Sequence, residues 1–86
     1  MRKRKSKVTN WHQSFPEFWI NSETRQILRV LRIRQNRIKY LIKIEDRNRN
    51  ESITLAQDFE EKTNAIKYAW EWMIEHPEGI TFEGGN

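Results

Sequence analysis

The side chains in this sequence best suited to chemistry are arginines and lysines, and the chemistry they offer is phosphate binding. Residues 21–50 hold nine basic residues and only three acidic ones, and residues 1–10 hold five basic residues and no acidic one. Guanidinium and ammonium groups bind phosphate oxygens and release counterions from a polyanion. The predicted nucleic-acid-binding residues are Arg32, Arg34, Arg37, Lys39, Lys43, Arg47 and Arg49, together with Arg2, Lys3, Arg4, Lys5 and Lys7.

The charge is divided along the chain. The net charge of the 86 residues is only +4, because residues 51–86 hold eight acidic residues and two basic ones. A basic front half and an acidic back half indicate an oriented contact with a polyanion. The same layout also fits head-to-tail self-association of the chain, or a role in solubility alone.

Catalytic and metal-binding patterns are missing from the sequence. The chain has no cysteine, only three glycines and only two histidines, His12 and His76. Three glycines cannot form a glycine-rich phosphate loop, and no nucleophile or metal-ligand spacing stands out. We expect His76 at a helix end and His12 without an acidic neighbour. The sequence therefore predicts a non-enzymatic protein with no metal, cofactor or small-molecule substrate.

A chain of 86 residues has room for one domain. We expect a disordered basic tail over residues 1–10, a single domain over residues 11–80 and a flexible tail over residues 81–86. No apolar run approaches the ~20 residues of a membrane span, and no apolar segment follows the basic start as in a secretory signal. The expected location is cytoplasmic, at the nucleoid in a prokaryote or virus and nuclear in a eukaryote, with no membrane partner.

The basic residues of the front half lie on two predicted strands. Residues 38–44 alternate isoleucine or tyrosine with mainly basic residues, and this period of two is typical of a half-buried strand. Residues 27–34 form a second apolar and basic run. The alternative is one long helix over residues 22–45, but Arg34 would fall inside its apolar stripe. The alternation after Asn36 favours strands.

The two strands are predicted to form a hairpin closed by a two-residue turn, Gln35 and Asn36. This register opposes Arg34 to Arg37 and Arg32 to Lys39, and such like-charge pairs need an acidic neighbour to offset them. Arg29 does not fit its face and is predicted to mark a bulge or a strand end. One predicted face holds Ile27, Leu31, Ile33, Ile38, Tyr40, Ile42 and Ile44; the other holds Arg32, Arg34, Arg37, Lys39 and Lys43, with Leu28, Val30 and Leu41 among them.

The apolar strip on the second of these faces needs cover, which the aromatic segment around Trp11, Phe15 and Trp19 or a second copy of the chain could supply. Residues 18–20 are predicted to form a short first strand or a packing arm. Residues 46–50 form a polar loop whose arginines extend the basic patch, and residues 52–56 form another strand.

One helix completes the predicted α+β fold, and we expect it over residues 61–76. Tyr68 and Trp72 lie off its apolar stripe, so they either pack on the aromatic segment or bind a partner. The predicted architecture is a three- to four-stranded antiparallel meander packed against one C-terminal helix.

The order of these segments resembles a known family. The run from Tyr40 to Asp46, a polar loop, Ile53-Thr54-Leu55, Phe59 and the helix segment Ala65–Ala69 resemble the second half of AP2-type and integrase arm-binding DNA-binding domains. The resemblance spans residues 27–76. It implies a three-stranded antiparallel sheet on a C-terminal helix, with the free sheet face in the DNA major groove. By position it assigns the contacts to Arg32, Arg34, Lys39 and Lys43.

A second similarity is to small strand-then-helix, single-strand-binding transcription cofactors that dimerise through the helix. Both resemblances imply nucleic acid as the partner, and DNA is favoured over RNA. The alternative function is a protein–protein interaction module or a homodimer with no nucleic-acid activity. In that case the basic half of one copy meets the acidic helix end of another.

Overall fold

The structure is a computed structural model that describes residues 10–34 and 36–81. Each strand pairs antiparallel with the next one along the chain, so the described strands form an open meander in the order β1 to β5. The elements are β1 (Trp11–Phe15), β2 (Phe18–Asn21), β3 (Gln26–Arg34), β4 (Ile38–Asp46), β5 (Glu51–Phe59) and the helix α1 (Lys62–Glu75). The predicted α+β fold is confirmed, and the long-helix alternative for residues 22–45 is wrong.

The sheet has five strands rather than the three or four predicted. The added strand is β1, in the segment that the sequence presents as irregular and aromatic. Only Trp11 of this strand is buried, and its pairing with β2 shifts register between Gln13 and Phe15. An edge strand that buries a single residue has no alternating pattern, so hydrophobic periodicity cannot reveal it.

The β3–β4 hairpin has a different register from the predicted one. Three residues, 35–37, separate the strands, so Arg34 pairs with Ile38 and Arg32 with Tyr40. Because side chains alternate across a strand, this one-residue difference moves every side chain of one strand to the opposite face. The predicted register and both predicted face compositions are therefore wrong. The predicted like-charge pairs, Arg34 with Arg37 and Arg32 with Lys39, therefore do not form.

The core lies between α1 and one face of the sheet. Leu28 and Val30 of β3 pair with Ile44 and Ile42 of β4, and all four are buried. The prediction puts Leu28 and Val30 on one face and Ile42 and Ile44 on the other, but the structure places all four on the helix side. The remaining buried members of this cluster are Trp11, Trp19, Ala65, Ala69 and Met73.

Two alanines and two aromatic contacts fix the position of α1. Ala65 and Ala69 are fully buried, and their small side chains let the helix approach the sheet closely. Trp72 packs edge-on against Trp11 with ring centroids 6.2 Å apart, which confirms its predicted packing on the aromatic segment. Tyr68 contacts Phe59 of β5 instead, at 5.6 Å.

The segment after α1 is bound to the first three strands. The Trp11 indole donates to the His76 carbonyl at 2.9 Å, and the Gln26 amide both donates to and accepts from the Ile80 backbone. Gly79 has a φ of 80°, and a Cβ atom there would clash with the Gln26 Oε1 atom. Glycine is therefore required at this close approach.

Candidate nucleic-acid interface

The sheet face opposite α1 is the candidate site, and we call it the uncovered face. Directly paired residues share a face, so the pairs alternating with the core pairs point away from the helix. Its apolar members are half-buried, apart from the buried Ile27 and the exposed Phe15, and none belongs to the core cluster or packs against it. They are Phe15, Phe18, Ile20, Ile27, Leu31, Ile33 and Leu41; the charged members are Arg29, Lys39, Lys43 and Glu45.

An apolar row on a face that no described element covers indicates a binding surface. The sequence predicts such a row from Leu28, Val30 and Leu41, but only Leu41 lies there. The row is nevertheless longer than predicted, because the true register places Leu31 and Ile33 beside Leu41. Trp11 and Trp19 of the aromatic segment pack with Leu28 and Val30 in the core, so the predicted cover holds for those two residues but not for Leu41, which lies on the other side of the sheet.

Arg29 fits this face and marks neither a bulge nor a strand end. It lies within the continuous β3–β4 ladder, directly opposite Lys43. Its guanidinium carbon is 5.8 Å from the centre of the Phe18 ring, and Nη1 donates to the Glu45 carboxylate at 3.1 Å. Phe18 in turn contacts Phe15 edge-on at 5.8 Å. Cation–π and aromatic contacts thus hold an organised group of side chains on the uncovered face.

Four of the predicted binding residues gather where the β3–β4 hairpin closes, and we call them the tip cluster: Arg32, Arg34, Arg37 and Lys39. Their sides differ from the prediction. Lys39 lies on the uncovered face, whereas Arg32 and Arg34 share the helix side with Tyr40 and Ile38. The predicted single basic face is therefore replaced by a hairpin end that carries cations on both sides.

The hairpin end projects beyond the first two strands. Pairing between β2 and β3 stops at Phe18 and Arg29, and the next backbone amide, that of Val30, donates to the Glu17 carbonyl in the β1–β2 turn. Residues 31–34 of β3 therefore extend past the described part of β2. This places the exposed Arg32 and Arg34 on a part of the hairpin that β2 does not flank.

Carboxylates of the chain bind several of the predicted cations. Arg37 pairs with Glu60 at 3.2 Å and Lys39 with Asp58 at 3.7 Å, so acidic residues do offset charge at the hairpin end. In the β4–β5 turn, Arg49 Nε lies 3.4 Å from the Glu51 carboxylate.

Four predicted cations have no ion pair among the residues that the structure describes. Arg32, Arg34 and Arg47 are exposed, and Lys43 is half-buried on the uncovered face. Of these four, Arg32 and Arg34 lie together in the tip cluster, so the hairpin end keeps two guanidinium groups available to a partner.

Arg47 and Arg49 do not extend the tip cluster. They lie in the turn between β4 and β5, whereas the tip cluster is at the start of β4. β4 runs from the tip cluster to the β4–β5 turn, and its nine residues at about 3.3 Å each span about 30 Å. The predicted extension of the patch by these two arginines is wrong.

The start of α1 adds a linked pair near the tip cluster. Lys62 Nζ is 2.9 Å from the Glu17 carboxylate in the β1–β2 turn. Glu17 raises the pKa of Lys62 above its usual 10.5, through the hydrogen bond and its charge, while the nearby Arg32 opposes this pKa shift. Two cations, Lys62 and Arg32, therefore lie near each other on the helix side of the hairpin.

Five predicted binding residues in the tail, Arg2 to Lys5 and Lys7, lie outside the described residues. His76 lies at the end of α1 as predicted, with its ring stacked on Trp72 at 4.0 Å. Within residues 10–34 and 36–81, no three metal-ligating side chains converge. In the same part of the chain, no helix has the length and apolar character needed to cross a membrane.

Sequence reasoning missed Arg29 and Phe18 as members of the outer face. The signal that could have found Arg29 is the length of the β3–β4 turn, because a three-residue connection pairs the odd-numbered residues of β3 with Lys39, Leu41 and Lys43. Phe18 is placed by its pairing with Arg29 between β2 and β3, which no local pattern specifies. Comparisons with protein-family models, curated proteins and solved structures found no match to this chain. The geometry of the chain itself therefore carries the functional interpretation.

Proposed function

We propose that this chain is a non-enzymatic nucleic-acid-binding protein that contacts phosphates through the tip cluster and the basic tail. The observation that carries the proposal is the exposed pair Arg32 and Arg34, which lies on a projecting hairpin without an ion pair among the described residues. Arginine forms directional, bidentate contacts with phosphate. DNA is favoured over RNA by the resemblance to sheet-based DNA-binding domains.

The charge distribution supports one orientation on a polyanion. The exposed acidic residues Glu71 and Glu75 lie on α1, on the opposite side of the sheet from Arg29, Lys39 and Lys43. Glu71 and Glu75 occupy the second half of α1, so a polyanion is repelled from that end of the helix and attracted to the hairpin end, where Lys62 at the start of α1 lies near Arg32. Because phosphate contacts position a protein without reading bases, the proposal assigns no base-reading residue to the tip cluster.

The test removes the two arginines together in the variant Arg32→Ala/Arg34→Ala. Each lost phosphate contact reduces the slope of log affinity against log salt by about 1, so the slope is expected to become shallower by about 2. Fluorescence anisotropy with a labelled oligonucleotide at several salt concentrations measures this slope. Lys67→Ala is the matched control, because it removes an exposed helix cation without an ion pair among the described residues.

An unchanged slope in the double variant, with circular dichroism showing the same fold, contradicts the role of the tip cluster. If no binding is seen for the unmodified chain with duplex DNA, single-stranded DNA or RNA, the nucleic-acid proposal itself is wrong.

The apolar uncovered face supports a second candidate function, association of two copies through this face. Leu31, Ile33 and Leu41 offer apolar area that a second sheet could bury. This candidate predicts a mass that rises toward twice 10.6 kDa with concentration in light scattering, with no oligonucleotide binding. A concentration-independent monomer mass contradicts it.

A further inference from the structure

The aromatic pair at the β1–β2 end of the uncovered face points to a ligand of its own. Phe15 is 66% exposed, the largest value among the exposed large apolar side chains of the described residues. It lies at the β1–β2 turn, and the edge-on contact with Phe18 supports its ring. Exposing this much aromatic surface to water is unfavourable, so a partner that covers the ring gains binding free energy.

One cation contacts this aromatic pair, and a second lies beside the first on the same face. Arg29 lies over the Phe18 ring, and Lys43 lies directly opposite Arg29 in the β3–β4 pairing. Arg29 donates one hydrogen bond to Glu45, and its guanidinium has five N–H groups, so donors remain for a further anion. Lys43 has no ion pair among the described residues.

A flat ring next to phosphate-binding cations matches the chemistry of an unpaired nucleotide. Bases within a duplex already stack on each other and cannot cover an aromatic ring, whereas the bases of a single strand can. An apolar peptide would cover the ring but would leave without an anion both Lys43, which has no ion pair among the described residues, and the guanidinium donors of Arg29 that Glu45 does not occupy. Charge complementarity therefore favours a single strand as the occupant.

We infer that the uncovered face binds single-stranded nucleic acid, with an unpaired base stacked on Phe15 and phosphates contacted by Arg29 and Lys43. The inference rests on the proposed function and adds the strand type. Lys39 shares the uncovered face with Arg29, and its pairing partner Ile33 is about 14 Å from Arg29 along β3, since a strand rises about 3.4 Å per residue. A strand of several nucleotides therefore reaches the aromatic pair and Lys39 of the tip cluster together.

The test compares labelled oligothymidine with a duplex of equal length and uses the full chain. The expected result is tighter binding to the single strand, and a ~5- to 150-fold loss of that affinity in Phe15→Ala, because one base stack contributes that factor. Phe15→Trp keeps an aromatic ring and is expected to retain the affinity. Ile74→Ala is the matched control, since Ile74 is 62% exposed but lies on α1.

Three outcomes overturn the inference. If Phe15→Ala binds oligothymidine as tightly as the unmodified chain, no base stacks on this ring. Preference for the duplex also overturns it, and both results leave the proposed function standing. Light scattering provides the third readout: a dimer that Phe15→Ala converts to a monomer shows that a second copy occupies the face. Absence of all nucleic-acid binding by the unmodified chain instead rejects the proposed function.

Discussion

Asn21 is a fully buried polar side chain at the end of β2, and it joins two segments that are distant in sequence. Its Oδ1 atom accepts hydrogen bonds from the Glu23 and Thr24 amides at 2.8 and 2.9 Å. Its Nδ2 atom donates to the Pro77 carbonyl at 2.9 Å. One side chain thus shapes the β2–β3 turn and holds the segment that follows α1.

Asn21→Ala is expected to lower the free energy of unfolding by about 2–4 kcal/mol, because it removes three hydrogen bonds that each contribute about 0.5–1.5 kcal/mol. Urea denaturation measures the change. Asn48→Ala, at an exposed asparagine in the β4–β5 turn, is the control and should change stability by less than about 0.5 kcal/mol. Equal effects of the two substitutions would contradict the role assigned to Asn21.

At the scale of elements, the ion pair between Lys62 and Glu17 connects the start of α1 to the β1–β2 turn. Glu17 raises the pKa of Lys62, so the folded state holds this proton more tightly than the unfolded state does. The stabilisation is therefore complete below the unfolded pKa of about 10.5 and is lost as the pH rises through the higher folded pKa.

Comparison of the unmodified chain with Lys62→Gln tests this pair. The difference in unfolding free energy is expected to be constant through neutral pH and to disappear at alkaline pH, and added salt should reduce it because the pair is exposed. Urea titrations across the pH range measure it. Lys67→Gln serves as the control, since that helix lysine has no ion pair among the described residues. If the difference in unfolding free energy between the unmodified chain and Lys62→Gln instead increases at alkaline pH, the role assigned to this ion pair is contradicted.

Within the β3–β4 hairpin, sequence reasoning predicts the strands but not their register. The alternation of Ile38, Tyr40, Ile42 and Ile44 correctly predicts a strand, because local periodicity is set by which side chains are buried. It does not determine which residues lie opposite each other, since that depends on the turn. The predicted turn has two residues and the actual connection has three, so the predicted register is off by one residue and places the wrong side chains of β3 and β4 on the same face. β1 was not predicted for a different reason: it buries only Trp11.

For the candidate site, sequence reasoning located the tip cluster but not its arrangement. Arg32, Arg34, Arg37 and Lys39 are close in sequence, so any hairpin brings them near its turn. Whether their charge is available depends on contacts with residues far along the chain, such as Glu60 with Arg37 and Asp58 with Lys39. Those contacts follow from the β4–β5 pairing and its register shifts, which no local pattern specifies.

Across the fold, the division of charge along the sequence is only partly a division in space. Asp58 and Glu60 of the acidic half pair with cations of the hairpin end, whereas Glu71 and Glu75 lie on the second half of α1. The ion pairs therefore leave a limited number of cations for a partner. The proposed phosphate binding therefore requires the arginines of the hairpin to act together with the five tail cations.

The decisive measurement is the affinity of the full chain for a labelled single-stranded oligonucleotide at 50 and 200 mM salt. Arg32, Arg34, Lys43 and the five tail cations together offer about eight phosphate contacts, so the affinity should fall ~10³–10⁵-fold between the two salt concentrations. A variant with the five tail cations changed to glutamine should retain a shallower but clear dependence, because the hairpin contacts remain. Binding that is absent, or that does not change with salt, would show that these cations do not contact phosphates.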